Sequence, residues 1–201
     1  MKNLLLFLIL LACTNLVQSQ TMGTMTDPRD GQTYKTVTYN IDGKSITWMA
    51  ENLNYEINNS YAYDNDKNNR EKYGLMYSRE AVKNACPNQW RLPSRKEGQA
   101  LTDAFDTSEP TFLNKDKNVD NNRINRNAFN VLFGGVNGPN GFSQIGKMTS
   151  FYQSEDQVNF NRALIIIREA LPTGGWSEEF IIQNNTNSAL IKASYCRCVK
   201  N

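Results

Sequence analysis

Three residues at alternating positions give this sequence its clearest potential metal ligands. Asp64, Asp66 and Asn68 have the spacing with which a calcium loop directs oxygen atoms towards a bound ion. However, the sixth position of such a loop is Asn69 here, where glycine is typical, and the twelfth is Leu75, where a bidentate glutamate is needed. The three residues are the candidate metal ligands, and a solvated polar turn is the alternative interpretation.

The composition removes several catalytic systems. The chain has 201 residues and no histidine, which excludes Ser-His-Asp and Cys-His nucleophile systems. Carboxylate pairs remain available, as at Glu155-Asp156 and Glu178-Glu179, although adjacent acidic residues usually lie on solvated turns. We therefore expect a protein that is not an enzyme, and a carboxylate-dependent, glycan-active enzyme is the less favoured alternative.

Aromatic side chains on loops can stack on the rings of bound sugars. Packing of the same side chains in the core is the alternative. The candidate ligand-binding residues are Tyr61, Tyr63, Phe151, Tyr152 and Trp176. The net charge is only +2, from 22 basic and 20 acidic residues, so no nucleic-acid partner is expected.

The N-terminus has the pattern of an export signal. One positive charge precedes an unbroken apolar run from Leu4 to Ala12, which is too short to span a bilayer. Cleavage before Gln20 would remove residues 1–19 as an ordinary signal peptide. Alternatively, the segment ending at Cys13 is similar to a lipobox, in which case Cys13 would carry the lipid.

Export places the chain in an oxidising compartment, where disulfides persist. Cys13 is unavailable for bridging by either processing route, so Cys86, Cys196 and Cys198 remain. An odd number of thiols allows at most one intramolecular bridge and leaves one cysteine unpaired.

Local signals indicate the elements that position these residues. Two β-rich runs, Tyr34 to Ile41 and Ser45 to Met49, flank Asp42-Gly43 and predict a hairpin. Ser94 and Glu97 form a capping box that predicts a helix start. Residues 20–29 read as a flexible lead-in, and a short helix is predicted over Ser78 to Ala85.

The second half of the chain is richer in strand-like runs. Two polar segments, Asn58 to Arg70 and Asp106 to Asn127, are predicted to be loops. The predicted strands are Lys147 to Gln153, Ala163 to Arg168, Phe180 to Gln183 and Ala189 to Val199. Helices in the first half and strands in the second indicate an α+β fold with a mostly antiparallel sheet.

Five motifs follow one another along the chain: DGQTYKTV (Asp30 to Val37), WMAENLNY (Trp48 to Tyr55), YGLMYS (Tyr73 to Ser78), ACPNQWRLPS (Ala85 to Ser94) and RCVK (Arg197 to Lys200). In this order they resemble a known family, the Fibrobacter succinogenes major paralogous domain of exported and surface lipoproteins in Bacteroidota-type bacteria. The resemblance implies a single domain over residues 30–201.

The resemblance also implies a C-type-lectin-like fold, because the WRLPS element and the following glutamate are similar to one in that superfamily. It further implies a disulfide between Cys86 and Cys198, with Cys196 as the unpaired thiol. The family's two loop cysteines are replaced here by Ala62 and Arg70.

The expected function is a non-enzymatic binding or adhesion module on the bacterial surface, whose loops between about residues 106 and 146 present the ligand surface. Its partner would be a surface glycan or a protein, and it would contact the membrane only through a lipid anchor. Beyond calcium at Asp64, Asp66 and Asn68, no cofactor is expected. The alternative is a structural subunit of an envelope assembly.

Overall fold

The structure is a computed structural model that describes residues 20–41, 43–104, 128–154, 163–168 and 191–201. Several sequence predictions lie outside these residues. They are the export signal with Cys13, the polar segment 106–127, Trp176, the strand over 180–183 and the acidic pairs at 155–156 and 178–179.

Twelve strands and three helices form the described fold. The strands are β1 (Gln20–Thr26), β2 (Thr33–Ile41), β3 (Lys44–Met49), β4 (Ser60–Tyr61), β5 (Met76–Ser78), β6 (Trp90–Arg91), β7 (Gly134–Gly138), β8 (Gly141–Ile145), β9 (Met148–Gln153), β10 (Ala163–Arg168), β11 (Ala193–Tyr195) and β12 (Val199–Lys200). The helices are α1 (Lys67–Tyr73), α2 (Arg79–Val82) and α3 (Arg95–Ala104).

The first sheet has the order β1-β2-β3-β12-β6 and is antiparallel throughout. The predicted hairpin is confirmed: Ile41 pairs with Lys44 across the turn between β2 and β3. The prediction of a flexible lead-in is wrong for Gln20–Thr26, which pairs with β2 along its whole length. Backbone pairing with β2 on one side orders this strand, and the polar composition does not reveal that pairing.

The second sheet has the order β10-β9-β7-β11-β5-β4, and β8 pairs with β7. Most of its pairings are antiparallel, but β9 runs parallel to both β7 and β11. The strand predicted over Ala163 to Arg168 is confirmed with the same bounds. Two mostly antiparallel sheets and a few short helices confirm the α+β class.

The capping box at the start of α3 is confirmed by both of its hydrogen bonds. The Glu97 backbone N–H donates to Ser94 Oγ at 3.2 Å, and the Ser94 N–H donates to Glu97 Oε2 at 2.7 Å. Arg91 strengthens this corner with two 2.7 Å bonds to the Glu97 carboxylate. The short helix predicted after Ser78 is also present as α2, and Ser78 caps it.

The interior consists of two clusters of buried apolar side chains. The first contains Trp48, Phe129 and Phe151, and the second contains Met49 and Leu53 together with both buried cysteines. A disulfide joins Cys86, which follows α2, to Cys198, which precedes β12, with a Cα–Cα distance of 5.9 Å. This is the pairing that the family resemblance implies, and Cys196 remains a free, buried thiol.

Candidate functional site

The four predicted aromatic residues that the structure describes do not form a sugar-stacking surface. Phe151 and Tyr152 are only 2% and 3% exposed. Tyr63 is buried against Phe142, with 5.1 Å between ring centroids, and the half-buried Tyr61 accepts a 3.2 Å hydrogen bond from Asn137. These rings therefore lie in or against the core, as the alternative interpretation of the sequence has it.

The predicted calcium ligands do not form a calcium loop either. Asp64 and Asn65 lie in a 3-10 turn (Tyr63–Asn65), and Asp66 is the N-cap of α1, where its Oδ1 accepts a 2.8 Å hydrogen bond from the Asn68 N–H. Asp64, Asp66 and Asn68 are all exposed. Helix α1 therefore begins at Lys67, within the predicted calcium loop. The same helix shows that the prediction of a loop over residues 58–70 was incomplete.

The described residues form a polar pocket of about 260 Å³. It lies between the start of β2, the segment after β3, the end of α1 and the segment before β7. The pocket is lined by Gln32, Thr33, Tyr34, Glu51, Asn52, Asn54, Arg70, Glu71, Lys72, Tyr73, Gly74, Asn130, Leu132 and Arg197. We call this set the polar pocket.

Arg197 is the buried cation of the polar pocket, with only 1% of the residue exposed. Its Nε donates to Asn52 Oδ1 at 2.8 Å, and its two terminal nitrogens donate to the backbone oxygens of Phe129 and Asn130. The guanidinium also lies 4.6 Å from the Phe129 ring centroid and 5.1 Å from that of Phe151. Among the residues that the structure describes, it forms no ion pair with a carboxylate.

Asn52 connects Arg197 to the end of α1. Its Nδ2 donates to the backbone oxygen of Tyr73 at 2.8 Å, while its Oδ1 accepts from Arg197. These three residues belong to three separate sequence motifs, WMAENLNY, YGLMYS and RCVK. The motifs therefore meet at one hydrogen-bonded cluster that forms part of the pocket wall.

The rim of the polar pocket is held by charged and amide groups. Arg70 donates from Nε to Asn54 Oδ1 at 3.0 Å and from its terminal nitrogen to Glu56 at 2.5 Å. The Asn54 N–H in turn donates to the hydroxyl of Tyr34 at 3.0 Å. The α1 helix and the segment after β3 are thus fixed relative to each other, and the pocket wall is preformed.

Burial shifts the titration of two groups in this wall. Desolvation lowers the pKa of Arg197 to about 9, which leaves the guanidinium charged at neutral pH. Desolvation raises the pKa of Tyr34 to about 12, so its hydroxyl stays protonated there. Arg197 therefore contributes a buried positive charge, and Tyr34 a neutral hydroxyl, to the pocket wall at neutral pH.

The lining contains amides, carboxylates, cations and hydroxyls. Convergent donors and acceptors on a preformed wall suit a small polar ligand. Ligand-sized pockets typically have volumes of about 300–1,000 Å³, so this one fits a small molecule or one terminal unit of a larger one.

Sequence reasoning missed Asn52 and Arg197 as site residues. Both stand within the motifs that carry the family resemblance, and Arg197 lies between two cysteines. A polar residue inside a buried motif must find a hydrogen-bond partner, and that requirement was the available signal. What the sequence could not show is that these two side chains, 145 positions apart, are each other's partners.

The fold and the pocket define an α+β domain, rich in β-sheet, with one preformed polar pocket beside a disulfide-linked terminal segment. The family model for the Fibrobacter succinogenes major domain matches residues 31–200. This match covers most of the chain, and the protein belongs to that family. No curated protein and no solved structure matches the chain.

The helices of the described part of the chain can be compared with those that cross a membrane. None of the helices within it has the length and apolar character that a bilayer-spanning helix requires.

Proposed function

We propose that this protein is an exported, non-enzymatic binding module of the bacterial surface, and that the polar pocket holds a polar sugar unit of a surface glycan. The observation that carries the proposal is the preformed wall around Arg197, with amide groups at Asn52, Asn54 and Asn130 beside it. Binding fits this site better than catalysis, because its polar groups are engaged in positioning one another.

The chemistry of the lining favours a sugar as the ligand. A sugar presents several hydroxyls that each donate and accept, and the pocket combines acceptors such as Glu51 with donors such as Arg70 and Lys72. The small volume of about 260 Å³ suits the terminal unit of a glycan, with the remainder in solvent.

We also propose that the domain has a C-type-lectin-like fold. Support comes from the first sheet, where the last strand β12 lies between β3 and β6 and so joins the two ends of the domain. The Cys86–Cys198 disulfide links the helical part to that strand. This arrangement agrees with the paired terminal strands that the WRLPS resemblance implies.

We further propose that the protein is exported to the cell envelope or the outer-membrane surface. It is supported by the apolar run from Leu4 to Ala12 and by a disulfide, which persists in an oxidising compartment. Attachment would occur through a lipid on Cys13. Cleavage before Gln20 would instead release the protein to the periplasm or the medium.

A second candidate function is a structural subunit of an envelope assembly, and one observation favours it. Strand β1 lies at the edge of the first sheet, and six of its seven residues are exposed. Edge strands can add a strand from another chain through their free backbone groups.

A binding screen on a broad array of bacterial and host glycans tests the proposal. The full chain is purified from the cells that process it and applied once with calcium and once with chelator. We expect specific binding to a small set of related glycans, with no change under chelator, because Asp64, Asp66 and Asn68 do not form a calcium loop. The same glycans are then incubated with the protein and analysed for products.

Three other results of the screen would contradict parts of the proposal. Release of a product would overturn the non-enzymatic assignment. Loss of binding under chelator would contradict the metal-free pocket. A blank array in both conditions would reject the glycan ligand and favour the assembly role, in which case the protein should co-purify in a complex of fixed stoichiometry.

A further inference from the structure

Three sulfur atoms lie together in the second core cluster. Cys196 Sγ is 3.9 Å from Cys86 Sγ and 3.7 Å from Cys198 Sγ, and all three sulfurs lie within 4.8 Å of one another. Two of them form the disulfide, and the third is the free thiol beside it. The polar pocket and its proposed function do not use this group.

We propose that the reduced form of this protein contains a copper site, in which the sulfurs of Cys86, Cys196 and Cys198 bind one Cu(I) ion. The oxidised form shown by the structure would not bind the ion, because two of the three sulfurs are then bonded to each other. The cluster would therefore respond both to the thiol redox state and to copper.

The reaction that opens the site balances with a small dithiol as the reductant. The dithiol transfers two electrons and two protons to the Cys86–Cys198 bond, which breaks to give two thiols, and the dithiol becomes a cyclic disulfide. The ion then replaces the sulfhydryl protons of the three cysteines, which are released to solvent. The oxidation state of copper does not change in either step.

The number and type of ligands favour Cu(I) over zinc. Soft thiolate sulfur suits Cu(I), whereas structural zinc sites almost always have four ligands. Within the described residues, the cluster contains three cysteines and no carboxylate. Histidine cannot supply a fourth ligand, because the chain has none.

The surroundings allow entry of an ion and place an ion pair beside the cluster. Cys196 and Cys198 are fully buried, but Cys86 is partly exposed and gives access from the surface. Arg29 donates from its terminal nitrogen to the backbone oxygen of Ala85 at 2.8 Å, which places a guanidinium next to Cys86. This guanidinium is itself paired with the Asp27 carboxylate, so the cluster has a balanced ion pair beside it.

The sulfur cluster is separate in space from the polar pocket, although Arg197 of the pocket lies between Cys196 and Cys198 in the sequence. Cys196 and Cys198 belong to the second core cluster, whereas Arg197 between them contacts Phe129 and Phe151 of the first cluster. The terminal segment therefore presents sulfur to one side and a cation to the other.

Anaerobic titration with Cu(I) against a coloured copper chelator tests the proposal. The protein is the full chain carrying Cys13→Ser, which removes the fourth cysteine from the count. Samples are oxidised or reduced with a dithiol, which is then removed, and near-ultraviolet circular dichroism records the fold. We expect the reduced chain to take one Cu(I) from the chelator and the oxidised chain to take none.

The variant Cys196→Ser in the same background tests the third ligand, and X-ray absorption at the copper edge counts the sulfur atoms. We expect at least a tenfold loss of affinity in the variant and three sulfur neighbours in the parent. Equal affinity in the variant, or two sulfur neighbours, would overturn the three-thiolate site. So would failure of the reduced chain to bind copper, or a reduced chain that is unfolded and does not regain its native spectrum with copper.

Discussion

Individual residues show how the pocket can contain a buried charge and remain stable. Arg197 is charged at neutral pH, and its burial would be unfavourable without compensation. Three oxygen atoms accept its hydrogen bonds, and two aromatic rings contact the guanidinium. The residue thereby joins the C-terminal segment to the backbone at residues 129–130 and to Asn52.

The substitution Arg197→Met tests this role. It leaves the Asn52 amide oxygen and two backbone oxygens without their donor, and unsatisfied buried groups are destabilising by about 1–3 kcal/mol each. We expect the free energy of unfolding to fall by about 3 kcal/mol in urea denaturation. The control is Lys67→Ala, which removes an exposed ion pair with Glu71 and should change stability little. Similar losses of stability in the two variants would contradict this role of Arg197.

Asp27 makes the stability of the protein depend on acidity. Its side chain is fully buried, and its carboxylate binds Arg29 at 2.6 Å. Burial alone would raise the pKa of Asp27, but the hydrogen bonds and charge of Arg29 outweigh it, and the pKa is lowered from 3.8. The folded state therefore holds this proton more weakly than the unfolded state does. The resulting stability is present above about pH 4 and is lost as the pH falls through the lowered pKa.

Urea denaturation from about pH 6 to about pH 2 measures this contribution. We expect Asp27→Asn to be less stable than the wild type by about 1–3 kcal/mol near neutral pH, because a charge-assisted pair is lost. The two proteins should converge in stability at low pH. A difference that stays constant over the whole range would show that the Asp27 carboxylate does not supply this stability.

At the scale of elements, the close approach of β7 to the 3-10 turn fixes the position of Tyr63. Gly135 has a φ of +80°, and a Cβ there would lie 2.4 Å from Tyr63 Cε2 and 2.8 Å from the Ser143 backbone oxygen. The ring of Tyr63 therefore packs directly over the backbone of β7. This contact is one reason why Tyr63 cannot serve as the stacking platform that the sequence suggested.

Alanine substitutions at two glycines separate backbone strain from steric overlap. Gly31 has a similar φ of +76° but nothing within 4 Å of a built Cβ. We expect Gly31→Ala to lower the free energy of unfolding by about 1 kcal/mol, from the left-handed backbone alone. Gly135→Ala should cost about 2 kcal/mol more, from overpacking. Equal losses in thermal or urea unfolding would mean that the contact with Tyr63 is not tight.

Sequence reasoning succeeded where the signal was local. The β2–β3 hairpin and the capping box of Ser94 and Glu97 depend on residues within a few positions of one another, and both are present. It failed for β1 and α1, because their formation depends on pairing with β2 and on the cap at Asp66 within a polar segment. The pocket depends on contacts across most of the chain, which composition and spacing do not encode.

At the scale of the whole molecule, the disulfide links two regions that are 112 residues apart in sequence. Closure of a loop of that length stabilises a protein by about 4–5 kcal/mol on the chain-entropy account, an upper-end value. The free thiol of Cys196, 3.9 Å from Cys86 Sγ, provides an alternative partner. Loss of Cys198 should therefore be less damaging than loss of Cys86.

Three single serine variants test this asymmetry. We expect Cys86→Ser to lose all bridging and several kcal/mol of stability. In Cys198→Ser, peptide mapping without reduction should find a Cys86–Cys196 bridge, and urea denaturation should show that much of the stability is retained. Cys196→Ser is the matched control and should keep the native bridge. Equal destabilisation of the Cys86 and Cys198 variants, with no new bridge, would contradict the prediction.

Isothermal titration with the strongest glycan from the array shows whether the polar pocket binds the ligand. The variant Glu71→Ala/Lys72→Ala removes two exposed lining residues of α1. Its matched control, Lys67→Ala/Asn68→Ala, changes two exposed residues of the same helix outside the lining. The account predicts at least a tenfold loss of affinity, about 1.4 kcal/mol, in the pocket variant and wild-type affinity in the control. Wild-type affinity in the pocket variant would contradict it.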